Sequence, residues 1–259
     1  MTSTDVEYPD ASMRYGSRRT QLADVFEPAQ TTDSLVLLLH GGFWDESNRM
    51  RTWAVGHALA AAGHLTASVA YAHGAGSWEA AFDDVATAID QIQLSGREWT
   101  TRNEAPRKIT LVGHSAGGHL ALWAASRLSL PSGSRWRPAD LQTTGVVALA
   151  PVADLAQAAR LGVGDGAVAA FLGGAPTDVA NAYALADPAA LMPSVPVKIL
   201  HGSADPLVPV DLSRRYAASM KARGVTAVDL TVIDGDPQWG DPTSEAWPSV
   251  VAAIDAVTR

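Results

Sequence analysis

Six runs of strand length, nearly all apolar, recur along this chain with longer helical stretches between them. They are 34–40 (SLVLLLH), 65–71 (LTASVAY), 108–113 (KITLVG), 144–150 (TGVVALA), 195–201 (VPVKILH) and 225–233 (VTAVDLTVI). A strand that is apolar on both faces has to be covered on both faces, as in a parallel sheet between two helix layers. The stretches between supply those layers. Residues 50–62 are Ala-rich up to Gly63, and 80–94 place Phe82, Val85 and Ile89 at helical spacing. Residues 116–128 are rich in Ala and Leu, 211–223 stop at Gly224, and 244–258 close the chain. This alternation predicts an α/β fold: a doubly wound, mostly parallel sheet of about eight strands with helices on both faces. Residues 19–26 read as an antiparallel edge strand. Residues 1–259 read as a single domain, with 151–192 as a cap insertion. That segment carries two Gly-rich stretches, LGVGDG and LGGAP, around an apolar middle. Functional residues are expected in the loops at the C-terminal edge of such a sheet.

Gly113-His114-Ser115-Ala116-Gly117 has the form G-x-S-x-G and sits where strand 108–113 gives way to helix 116–128. A serine on that sharp turn stands clear of the sheet, and glycines two residues to either side relieve the crowding. Acyl transfer at such a serine needs fixed N–H groups facing the developing oxyanion, each worth about 3–4 kcal/mol. The N–H of Ala116 is one candidate. Gly42 and Phe43, in the loop after strand 34–40, supply the other.

These motifs resemble the α/β-hydrolase superfamily, and more narrowly its bacterial esterase and arylformamidase branch, the relatives of kynurenine formamidase. The resemblance rests on HGGFW at 40–44, GHSAGGHL at 113–120, HGSADPLVP at 201–209 and DPTSEAW at 241–247. It implies the α/β-hydrolase fold, Ser115 as nucleophile, Asp205 as the acid of the triad, and hydrolysis of a small ester, amide or formamide. His40, His114 and His119 read as packing or hydrogen-bonding residues of the matched loops.

One element of that constellation is missing. The fold's triad runs Ser, Asp, His in chain order, and none of the 7 histidines follows Asp205. The resemblance puts Asp236 in the histidine slot, in the stretch DGDPQW at 234–239. Loss of the histidine from a serine-protease triad costs about a million-fold in turnover, so the triad reads as degenerate unless another base acts. Two substitutes are His73, just beyond strand 65–71, and Asp236 itself, whose carboxyl would titrate near neutrality if held against Asp205. The alternatives are a non-hydrolytic catalyst of cyclisation, elimination or isomerisation in secondary metabolism, and a catalytically dead ligand-binding protein.

Trp44, Trp78, Trp239 and Phe171 fall on the expected active edge or in the cap and predict a pocket for an apolar or aromatic small molecule. With 19 basic against 27 acidic residues the net charge is −8, which argues against nucleic acid as a partner. The chain has no cysteine and no HExxH, so no metal and no cofactor are expected. The polar N-terminus and the lack of a long apolar run predict a cytoplasmic protein with no membrane partner, as a monomer or homodimer.

Overall fold

A computed structural model describes residues 7–45, 49–95 and 108–258. The start of the N-terminal stretch, 1–6, lies outside the described residues. An 8-stranded sheet runs in the order β1-β2-β4-β3-β5-β6-β7-β8. Its strands are β1 (Ala11–Arg14), β2 (Leu22–Phe26), β3 (Ser34–Leu39), β4 (Leu65–Val69), β5 (Lys108–His114), β6 (Thr143–Leu149), β7 (Val197–Gly202) and β8 (Val228–Ile233). The strands from β4 to β8 in that order pair in parallel, whereas β1 with β2 and β2 with β4 pair antiparallel.

Strand periodicity sorts the core into two layers. In β3, Leu35, Leu37 and Leu39 face one side and Val36 and Leu38 the other. Helices α1 (Trp53–Ala61) and α8 (Trp247–Thr258) cover the second side, through Val55, Leu59, Val250 and Ile254. Helices α2 (Trp78–Ser95), α3 (Ala116–Ala125) and α7 (Val210–Ala222) cover the first.

The antiparallel strand is present, but it is not the edge. β2 is flanked by β1, whose four residues ASMR alternate between half-buried and exposed. So short and polar a segment carries almost no periodic signal of its own, and its pairing with β2 defines it. At the other end β8 is also half-exposed, as one-sided cover of an edge strand dictates.

Between β6 and β7 lie three short helices, α4 (Leu155–Leu161), α5 (Ala167–Leu172) and α6 (Ala180–Ala186). Asp187 ties this segment together from a buried position. Its carboxylate accepts the N–H groups of Leu155 and Ala156, which open α4, and of Ala189, all within 2.9–3.0 Å. Burial pushes the carboxyl up to about 6 even though those N–H groups pull it down. The folded protein therefore holds this proton more tightly than the unfolded chain. The proton-linked part of the stability is complete below the ordinary carboxyl range and is lost as pH rises through about 6, while the three hydrogen bonds remain. Asp187→Ala strands three N–H groups and is expected to cost about 2–3 kcal/mol in urea unfolding at neutral pH. Asp187→Asn keeps an acceptor, costs less, and flattens the pH dependence between pH 4 and 6.

Candidate active site

The strand order changes direction between β3 and β5: β4 lies on one side of β3, and β5, β6, β7 and β8 follow on the other. Open α/β sheets form a crevice at such a point, beyond the strands' C-terminal ends. Leu39 pairs with Gly113, so the register sets His40-Gly41 beside His114-Ser115. The two loops singled out in the sequence meet there.

Ser115 has φ 53 and ψ −114 and forms the N-cap of α3. Its two glycines are required by close approach. A Cβ on Gly117 would lie 2.0 Å from the Leu39 carbonyl oxygen, and one on Gly113 would lie 2.2 Å from that of Gly117. Helix α3 is thereby pressed against the ends of β3 and β5, and Ser115 is left 8% exposed at the cavity wall.

The HGGFW loop is strained. Phe43 and Trp44 both have positive φ, 51 and 58, a conformation that costs a non-glycine residue about 1–2 kcal/mol. Packing holds it. Trp44 is buried, stacks on Phe171 at 4.9 Å, and donates its indole N–H to His119 Nδ1 at 3.2 Å. Phe43 sits against Gly164, where a Cβ would come within 2.4 Å of its ring. Among the described residues no hydrogen bond engages the N–H groups of Gly42, Phe43 or Ala116. Ala116 opens α3, where first-turn N–H groups have no helical acceptor.

A cavity of about 980 Å³ runs past these groups. Phe43, Trp44, Phe171 and Trp239 line it, with Asp45, Arg51 and Asp165 as its charged residues. Trp78 stands elsewhere: it is not in the lining and packs on Phe82 and Trp136. It opens α2, four residues before Phe82, and joins that helix's apolar face rather than the active edge expected from the sequence.

The histidines separate cleanly. His119 is fully buried, accepts from Trp44, and donates from Nε2 to the Ala186 carbonyl at 3.0 Å. Burial lowers its pKa to about 4, so it is a neutral strut joining the HGGFW loop to α6. His201 is likewise buried, bonded to Ser213 Oγ and the Val208 carbonyl, and burial lowers its pKa. His73 is exposed, donates to the Asp45 carbonyl at 3.0 Å, and does not line the cavity. His57 reaches the Glu7 carbonyl and His64 pairs with Asp255. The two histidines on the cavity wall are His40 and His114. His40 is buried, bonded to the Gly41 carbonyl at 2.8 Å and stacked on Tyr71. The His114 ring makes no hydrogen bond among the described residues, and the residue is exposed.

Asp205 follows β7. One carboxylate oxygen accepts the N–H groups of Leu207 and Val208 at 2.9 and 2.8 Å, and the other lies 3.6 Å from His201 Nε2. Asp236 is exposed on the loop after β8. That loop is tied to the Asp205 loop, because Ala204 N–H donates to the Gly235 carbonyl at 2.9 Å and Gly235 N–H to Ser203 Oγ at 3.0 Å. Asp205 and Asp236 both act on His114, raising its pKa against the larger lowering by partial desolvation of the ring, with His201 adding to the lowering.

Comparison with known proteins supplies the remaining context. A family model described as BD-FAE matches residues 23–220. Among solved structures the chain is similar to a bifunctional GH43-CE protein of Bacteroides eggerthii, at 20% identity and TM-score 0.73. That match covers 95% of this chain and 37% of the other. It is similar to a truncated carbohydrate esterase from gut microbiota, at 19% identity and TM-score 0.68, covering 88% and 91% of the two chains. It is also similar to Thermogutta terrifontis esterase 2 phosphonylated by sarin, at 20% identity and TM-score 0.69, covering 96% and 93%. The fold is the α/β-hydrolase fold, and among the described residues no helix is long and apolar enough to cross a membrane.

Proposed function

The chain belongs to the BD-FAE family, and from that premise we propose that it is an enzyme hydrolysing small carboxylic esters at Ser115. The observation that carries this reading is the convergence, at the β3/β5 crevice, of a strained serine with three unengaged N–H groups. Ser115 Oγ attacks the carbonyl carbon. The oxyanion forms beside the N–H of Ala116 and that of Gly42 or Phe43, where preorganised donors stabilise it without reorganisation. The alkoxide departs, and water then releases the acyl group.

The cavity favours a substrate with an apolar or aromatic portion: the half-buried Phe43 lines it, the buried rings of Trp44, Phe171 and Trp239 back its wall, and its volume exceeds what an acetyl group needs. Asp205 is the acid of this site and Asp236 stands in the slot of the absent histidine, which leaves the triad degenerate. The finer arylformamidase reading extends the same chemistry to an aryl formamide.

Covalent labelling tests the proposal. A fluorophosphonate probe is expected to add to the peptide carrying Ser115, with p-nitrophenyl acetate and butyrate turned over and both competing with labelling. Absence of an adduct and of turnover on these esters and on N-formylaniline would overturn it, in favour of a binding protein. Turnover without an adduct at Ser115 would place the chemistry elsewhere.

A further inference from the structure

We infer that His114, the residue immediately before Ser115, supplies the base that the triad lacks, moving protons between Ser115 Oγ and its own ring through one water. This rests on the reading of Ser115 as nucleophile. Five of the seven histidines are off the cavity wall, and His40 is buried with its Nδ1 bonded to the Gly41 carbonyl. His114 is on the wall beside Ser115 and exposed, and its ring makes no hydrogen bond among the described residues.

Its distance suits the role. The position a Cβ would take on Gly41 lies 3.1 Å from His114 Nδ1 and 3.4 Å from Ser115 Cβ. Nδ1 and Cβ are therefore no further apart than the two lengths together, about 6.5 Å. A general base reaches its proton directly or through one water. Such a geometry also suits deacylation, where water itself is the nucleophile.

The charges around the ring suit it as well. In an ordinary triad one carboxylate stabilises the imidazolium that forms. Here Asp205 and Asp236 both stabilise the charged ring. An aspartate in the slot that the resemblance assigns to the triad histidine thus leaves that base out while adding support to another. Protein packed around one side of the ring displaces part of its water; that desolvation outweighs the two carboxylates and, with His201, keeps the pKa below its ordinary value of 6.5, so the imidazole is neutral at physiological pH and able to accept a proton.

The proton balance closes. As Oγ bonds to the carbonyl carbon, its proton passes through the water to the imidazole. The imidazolium returns a proton to the departing alkoxide, and the C–O bond breaks. A second water then attacks the acyl carbon, again losing its proton to His114, and Ser115 Oγ leaves carrying that proton.

The test is kcat/KM for p-nitrophenyl acetate in the wild type, His114→Ala, His114→Asn, Ser115→Ala and the Ser115→Ala/His114→Ala double variant. Each is measured from pH 4.5 to 9, with and without added imidazole. Loss of His114 is expected to lower the rate about a hundredfold and abolish the acid limb, whose midpoint falls below 6.5 in the wild type. Imidazole restores rate in His114→Ala and does not in the double variant, a rescue no packing role predicts. His114→Asn carries the comparison if the alanine variant fails to fold. Wild-type rates and an intact acid limb in the His114 variants, with activity lost in Ser115→Ala, overturn the inference and leave the ester-hydrolase reading standing. Wild-type rates in Ser115→Ala overturn that reading itself.

Discussion

Ser115→Ala is expected to lower kcat/KM for p-nitrophenyl acetate by at least about a hundredfold, the smallest benefit a working general base confers. The size of the drop is informative because triad groups act as a unit. In a serine-protease triad, removing the serine or the histidine alone costs about as much as removing all three, and what remains comes from the oxyanion donors and binding. An enzyme with no base at all already sits at that floor, so deleting its serine changes little. A large drop at Ser115 therefore reports that a base is present, without naming it. The readout is steady-state hydrolysis with thermal unfolding as control. The fold should hold: Ser115 makes no side-chain cap to α3, and alanine is smaller than serine at the same turn. A rate that stays within a few-fold of wild type would mean that Ser115 is no longer a nucleophile.

The sequence made the scaffold of this site readable and hid its chemistry, for physical reasons. Strands β3, β5 and β7 are written as apolar runs because cover on both faces imposes that composition. Gly113 and Gly117 were legible because the backbone contacts at the elbow leave no room for a Cβ. The roles of the histidines were not, because each depends on which carbonyl or ring the fold brings alongside. His119 is a strut only because Trp44 and Ala186 arrive on either side of it. His114 read as a packing residue of a matched motif, yet its ring opens onto the cavity. His73, offered as a base from its place after β4, is held to the Asp45 carbonyl at the rim instead. Trp78 belongs to the stripe of α2, a signal present in the spacing but outweighed by its place beside a loop. The outermost strand β1 had no signal to offer, since four residues cannot display a period.

Asp236→His is expected to raise kcat/KM for p-nitrophenyl acetate about tenfold to a hundredfold above wild type, by returning an imidazole to the slot that the family resemblance assigns to the triad histidine, whereas His114 works through water. Several contacts hold position 236 beside the acid. Gly235 is bonded on both sides to the loop carrying Asp205, and Pro237 packs so tightly on Gly202 that a Cβ there would lie 2.5 Å from its ring. Asp205 can receive the new ring. Its first oxygen is taken by two N–H groups, and among the described residues the second accepts no hydrogen bond; it lies 3.6 Å from His201, whose Nε2 is already bonded to the Val208 carbonyl. The gain should be independent of the original base. Adding His114→Ala to Asp236→His is expected to leave the raised rate nearly intact, whereas the same change in the wild type removes most activity. Two additional readouts fix the cause: the gain vanishes in Asp205→Asn, which cannot support an imidazolium, and it vanishes in Ser115→Ala. If Asp236→His folds and gives no gain, the loop after β8 does not carry residue 236 toward Ser115. The histidine slot then lies elsewhere, and the influence of Asp236 is confined to the charge it places near His114.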